Sequence, residues 1–154
     1  MTTAQNTPRT ITQFKGAWGF LSNPYTYRVT VEGVVYPSAE HAFQAQKTIN
    51  PGIRRQISCM PNWRDAKQLG RTTPLRSGWN EYWRYVAMMT VLRNKFSDGL
   101  VGSLLGTGNA YLIEGNHWHD NTWGICYCGK CTNGHNLLGW MLMQLRNELS
   151  VGRR

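Results

Sequence analysis

Eight carboxylates are available for acid–base chemistry in this chain: Glu32, Glu40, Asp65, Glu81, Asp98, Glu114, Asp120 and Glu148. Five have structural explanations. Glu32 falls in an expected turn, and Asp65, Glu81 and Asp98 fall near helix starts, where the macrodipole favours an anion. Glu148 sits on the exposed end of the last expected helix. Glu40, Glu114 and Asp120 remain as candidates. Glu40 lies in Ser38-Ala39-Glu40-His41-Ala42-Phe43-Gln44-Ala45-Gln46-Lys47. On a helix, Glu40, Gln44 and Lys47 share one face, leaving Ala42, Phe43 and Ala45 to pack. A carboxylate at a helix N-terminus is expected to be ionised, suited to stabilising a cationic centre or activating water. The competing explanation is favourable first-turn chemistry with no further role. Glu114 ends an expected strand and Asp120 precedes Asn121-Thr122-Trp123-Gly124 in a loop; a strand end and an Asx turn are the competing explanations.

A second constellation is Cys126-Tyr127-Cys128-Gly129-Lys130-Cys131. Three thiols in six residues, with His117, His119 and His135 close in sequence, suggest a Cys₃His zinc site, for which Cys126, Cys128, Cys131 and His135 are the candidate set. No second C-x₂-C pair completes the pattern. The reading is therefore a metal-free protein with reduced loop thiols, a structural zinc being the alternative. Cys59 is remote in sequence and expected to be buried. A phosphate-cradling G-x-x-x-x-G-K-[ST] loop, a G-x-S-x-G elbow and an H-E-x-x-H helix are all missing from the sequence.

Charge points to the class of ligand. Seventeen Lys and Arg against eight Asp and Glu give a net charge of +9 over 154 residues, which favours phosphate-bearing partners. Arg54, Arg55, Arg64, Lys67, Arg71 and Arg76 face only Asp65 in their stretch, a candidate phosphate or nucleic-acid surface; a solvated helical face is the competing view. Without an 18-residue apolar run or a signal-like N-terminus, the chain is expected to be cytoplasmic and to have no membrane partner.

The elements that must position these residues are legible from periodicity and caps. Residues 1–10 read as a flexible tail and 11–154 as one catalytic domain. Tyr27, Val29 and Val31 alternate as a strand, Glu32-Gly33 turns, and Val34-Val35-Tyr36 returns. Ser38 caps a helix expected to run to about Thr48, Asn50-Pro51 starts another, and Asn62 caps a third ending near Gly70. A long helix is expected over 80–96, burying Tyr82, Tyr85, Met89, Leu92 and Phe96. A short helix ends at Gly106, Tyr111-Leu112-Ile113 is strand-like, and a last helix over 137–149 buries Leu138, Met141, Leu142, Leu145 and Leu149. The expected fold class is α+β: a compact, mostly helical single domain with a small β-sheet.

Taken in order, the motifs resemble the NADAR superfamily, which includes the YbiA-like proteins. They are Gly19-Phe20-Leu21-Ser22-Asn23, Tyr36 to Lys47, Ala66-Lys67-Gln68-Leu69-Gly70-Arg71, Trp79, Met88, Lys95-Phe96, Thr107-Gly108, Leu112-Ile113-Glu114, Asp120 to Gly124, Asn136-Leu137-Leu138-Gly139, Leu142-Met143 and Arg146. The resemblance spans about residues 11–149. It departs between Gly124 and Asn136, where this chain carries its cysteine-rich loop in place of a short Gly-rich turn. The resemblance implies an enzyme that hydrolyses N-glycosides of phosphorylated ribose. Some members act on riboflavin-pathway intermediates, and others remove ADP-ribose from guanine in DNA or RNA. It implies catalytic positions at Glu40, Lys47 and Asp120, with Lys47 suspected of forming a Schiff base with the ribose C1. It implies substrate contacts among Ser22, Asn23, His41, Gln44, Lys67, Arg71, Trp79, Glu114, Trp123, Gly124 and Asn136, the two tryptophans stacking on a base and Lys67, Arg71 and Ser22 meeting phosphate. The expected leading activity is removal of ADP-ribose from guanine. A riboflavin-pathway N-glycosidase and a non-catalytic ADP-ribose or nucleic-acid-binding module are the alternatives.

Overall fold

A computed structural model of the protein describes residues 9–152. In chain order the elements are β1 (Thr10–Ile11), a 3₁₀ turn (Gly16–Leu21), β2 (Thr26–Val31), β3 (Val34–Ser38), α1 (Ala39–Ala45), α2 (Pro51–Ser58), α3 (Trp63–Thr72), a π-helical turn (Trp79–Trp83), α4 (Arg84–Lys95), α5 (Val101–Leu105), β4 (Tyr111–Leu112), β5 (Gly115–Asn116), β6 (Ile125–Cys126) and α6 (Leu137–Val151). The fold is α+β and mostly helical, as expected. Its β-structure is three two-stranded sheets rather than one. Four of the six strands are only two residues long, so among the described residues the β1–β4 and β5–β6 pairs are local patches and β2–β3 is the one extended hairpin.

The described chain forms two compact units: residues 23–101, and the residues up to 22 together with those from 102 onward. In the first, β2 and β3 pair as an antiparallel hairpin with Val31 opposite Val34. Glu32 and Gly33 both take positive φ, the geometry of a two-residue primed turn that matches strand twist. The hairpin leads directly into α1, the hub of this unit. α1 contacts β2, β3, α2, α3 and α4, and all seven of its residues are buried. Alanine at 39, 42 and 45 forms one small-residue face on which its neighbours can close in. The helical caps fall where the sequence places them: the Ser38 side chain accepts from His41 N, Asn50 from Gly52 and Ile53, and Asn62 from Arg64.

Four expectations need correction in this unit. α1 stops at Ala45, short of Thr48, because Asn50 must be extended to cap α2 and to precede Pro51. The final turn tightens, so that Lys47 N donates to Gln44 O at 3.3 Å. The long helix over 80–96 is a π-helical turn followed by α4. Leu92 and Phe96 are buried as expected, but the rest of the buried stripe falls on Ala87, Met88, Val91 and the charged Lys95, leaving Tyr82 exposed and Tyr85 and Met89 partly so. Cys59, expected inside, is exposed beyond the end of α2.

In the second unit, β1 pairs in parallel with β4, Thr10 opposite Tyr111 and Ile11 opposite Leu112. Residues 1–8 of the expected tail lie outside the described residues. Its last two residues are engaged: Arg9 O accepts from Tyr111 N at 2.8 Å and Thr10 is in the strand. β5 and β6 form a second parallel pair. α6 buries Leu138, Leu142 and Leu145, with Met141 and Leu149 half-buried.

Candidate functional site

Within the unit of residues 23–101 the structure gathers Glu40, Gln44, Lys47, Lys67 and Arg71 around one side of α1. Glu40 is only 7% exposed, and a buried carboxylate is stable only with a hydrogen-bonding partner. Gln44, one turn on, donates from Nε2 to Glu40 Oε1 at 2.7 Å. The backbone N–H of Glu40 donates to Asn23 O at 2.9 Å, fixing the start of the helix. The face expected to be a polar stripe is thus enclosed, with a charge inside it.

Gln44 is itself held in place by α3. A Cβ on Gly70 would lie 2.1 Å from Gln44 Oε1 and 3.1 Å from its Cβ. Only a glycine at 70 lets α3 approach that closely. The same helix carries Lys67 and Arg71 to the Lys47 amine. Burial lowers the Lys47 pKa from its ordinary value; the Glu40 carboxylate opposes this shift, and the charges of Lys67 and Arg71 add to it. Among the described residues, Lys47 and Glu40 form no contact ion pair and act on each other through space. Arg76 N donates to Lys47 O at 2.7 Å and anchors the chain at that point.

The basic stretch sorts into spent and available charges. Arg54 pairs with Glu32 and donates to Thr48 O at 2.8 Å. Arg64 stacks on Trp63 at 4.5 Å, and Arg76 on Trp83 at 4.0 Å. Lys67 is 6.0 Å from the Trp63 ring, and Lys67 and Arg71 are the two cations whose fields reach Lys47.

Other expected contacts in this unit have packing roles in the structure. Trp79 is buried against Phe43, ring centres 5.4 Å apart. His41 is 2% exposed and shares a 2.8 Å hydrogen bond with Ser38 Oγ, and burial lowers its pKa. Asn23 Nδ2 donates to the Met88 sulfur at 3.4 Å, while its buried Oδ1 has no protein partner.

Ser22, Glu114, Asp120, Trp123, Gly124 and Asn136 belong to the other unit. Ser22 closes the 3₁₀ turn through its N–H to Gly19 O. Asp120 Oδ1 accepts from Thr122 N at 3.1 Å and Trp123 N at 2.9 Å, an Asx-type turn that fixes this loop. Asn136, in the left-handed region, brackets the start of α6. Its Oδ1 accepts from Glu114 N at 3.0 Å, and its Nδ2 donates to Leu112 O at 2.8 Å. Gly124 is buried where a Cβ would fall 2.1 Å from Glu114 O.

The structure also singles out residues that the sequence reading passed over. Asn116 Oδ1 accepts from Trp118 N and Asp120 N, both at 3.2 Å, and its Nδ2 donates to Asp120 O at 2.7 Å. No sequence pattern marks such a bracket. The thiols converge on a histidine, but it is His119 rather than His135. His135 is exposed, and its N–H is bound to Asn121 O. Proximity after Cys131 favoured His135; the loop folds back the other way.

The comparisons with known proteins agree on one family. The sequence model of the NADAR domain matches residues 3–150, across both compact units. N-glycosidase YbiA of Escherichia coli (strain K12) is 36% identical over 138 residues, covering 87% of this chain and 83% of its own. N-glycosidase Npun_R5314 of Nostoc punctiforme is 30% identical, covering 86% of each. Riboflavin biosynthesis protein VVA0006 of Vibrio vulnificus is 35% identical over 137 residues, which are 85% of this chain and 35% of that longer protein. The NMR structure of E. coli YbiA superposes with a TM-score of 0.81 at 32% identity, over 96% of this chain and 89% of that one.

Proposed function

This chain belongs to the NADAR domain family, and from that premise we propose that it is an N-glycosidase hydrolysing the ribose C1–N bond of a phosphorylated ribosyl group. One observation carries the reading: a carboxylate enclosed on α1, partnered by a neutral amide, beside a lysine of lowered pKa and two further cations. Cleavage of a C1–N bond builds positive charge on C1 and the ring oxygen and negative charge on the departing base; water then adds to C1 and its proton goes to the base. Glu40 supplies the anion for the first charge or orients the water, and in a dry site that interaction counts for more than in solvent. Lys67 and Arg71 would hold the phosphate.

Lys47 has two candidate roles. A half-buried amine of lowered pKa is a better nucleophile near neutrality and can condense with an opened-ribose aldehyde; otherwise it is the electrostatic counterpart of Glu40. Borohydride trapping of substrate on the wild type, lost in Lys47→Ala, is the outcome expected of the Schiff base; no trapping leaves the electrostatic role.

For the leaving group we propose guanine in nucleic acid, with ADP-ribose as the group removed. The net charge of +9 favours such a polyanionic carrier. The V. vulnificus relative, a riboflavin biosynthesis protein, favours a second reading, a free riboflavin-pathway intermediate. Both substrates are offered to the purified protein and to Glu40→Gln, and the released base is measured. Wild-type turnover with a loss of about 100-fold or more in Glu40→Gln is expected. Equal activity of the two proteins would remove Glu40 from the centre, and turnover of the free intermediate alone would select the second substrate.

A further inference from the structure

We propose that His119, Cys126, Cys128 and Cys131 form a tetrahedral zinc site that clips the Asp120-to-Gly124 segment. The four donor atoms lie within 4.8 Å of one another. His119 Nδ1 is 3.2 Å from Cys131 Sγ, 3.5 Å from Cys128 Sγ and 4.0 Å from Cys126 Sγ. A tetrahedral zinc with ordinary Zn–S and Zn–N bond lengths separates sulfur from nitrogen by about 3.6 Å. The three distances straddle that value.

Hydrogen bonding to His119 alone does not account for the convergence. One imidazole nitrogen carries either one proton or one lone pair, so it serves one sulfur at a time. Three sulfurs crowd that one nitrogen, whereas a cation at the centre engages all four donors at once. Nor are the sulfurs paired with one another: all four cysteines of the chain are free thiols. Three thiolates and one imidazole, closed to a fifth ligand, are a structural zinc set.

The backbone is built to present these donors. His119 sits at φ 67°, a left-handed conformation unusual for a residue with a Cβ, which persists only where its surroundings impose it. Asn116 imposes it, since its Oδ1 takes the N–H on either side, from Trp118 and from Asp120. Cys126 is buried on β6, its N–H held by Asn121 Oδ1 at 3.1 Å. Cys128 and Cys131 close a turn through Gly129 at φ 80°, with Lys130 N donating to Cys128 Sγ at 3.4 Å. The ligands flank residues 120–124 on both sides, so the ion ties together the two ends of the stretch that carries Asp120 and Trp123.

The test is metal content, which does not depend on turnover. Wild-type protein is purified under reducing conditions without added metal and analysed by mass spectrometry for zinc, iron, nickel and copper. About one zinc per chain is expected. Cobalt exchanged into the protein should give the intense visible bands of a tetrahedral thiolate site. Cys131→Ser and His119→Ala should each weaken cobalt binding by at least 10-fold, while His135→Ala should leave it unchanged. Zinc below about half an equivalent, together with no cobalt bands on titration of the reduced protein, would overturn the proposal. So would stoichiometric iron in place of zinc, or a loss of binding in His135→Ala with none in His119→Ala. Because the wild-type measurement stands by itself, a variant that fails to fold does not decide the matter.

Discussion

Lys47 is the residue whose chemistry the fold changes most. Its pKa is lowered chiefly by burial, so between that lowered value and the ordinary one the unfolded chain holds a proton that the folded chain has released. Stability therefore rises with pH across that window, and the penalty for Lys47 is fullest below it. Lys47→Met should be stabilised relative to the wild type near neutrality, with the gap in Tm closing as pH climbs toward 10; a gap independent of pH would contradict this. Asp120 gives a complementary test. Asp120→Asn keeps an Oδ1 acceptor for Thr122 and Trp123, so it should spare thermal stability and cut turnover if the charge takes part in the reaction. Both residues stand out in the sequence by type and spacing. The enclosure of Glu40 was not legible there, because it arises when α3 closes over a face that periodicity assigns to solvent. Nor was the choice of His119 over His117 and His135, since its placement depends on the Asn116 bracket.

At the scale of elements, α1 and α3 act as one device. Gly70 allows the contact that holds Gln44 against Glu40. Gly70→Ala must push Gln44 aside, and we expect a drop in turnover of roughly 10-fold or more, about what one misplaced hydrogen bond costs an active site. Ser38→Ala removes the α1 cap and its hydrogen bond to His41; chemical denaturation should show a loss of about 1 kcal/mol. Caps of this kind made the starts of α1, α2 and α3 readable, since each is a side chain of defined type one residue ahead of a helix. The π-helical turn over Trp79–Trp83 had no such marker. One added residue per turn shifts the stripe that follows, so the expected core face of the next helix coincides with the real one only at Leu92 and Phe96.

At the scale of the whole molecule, the excess of positive charge makes ionic strength a probe. If Lys67 and Arg71 meet phosphate, KM should rise with salt, and Arg71→Gln should raise KM at low salt while flattening that dependence; an unchanged slope would place the phosphate elsewhere. Among the described residues no helix is long and apolar enough to cross a membrane. The α+β class was legible because strand alternation, caps and helical stripes each occupy their own stretch. The division into two units was not, because the second is assembled from segments far apart in the chain. β1 pairs with β4 across about a hundred residues, Thr10 meeting Tyr111. During synthesis on the ribosome that pairing must wait until its distant partner emerges, and closing so long a loop carries an entropic cost. Residues 23–101, contiguous and emerging before β4, are free to organise before then. Strand β1 is thus synthesised ahead of that unit yet pairs only after all of it has emerged.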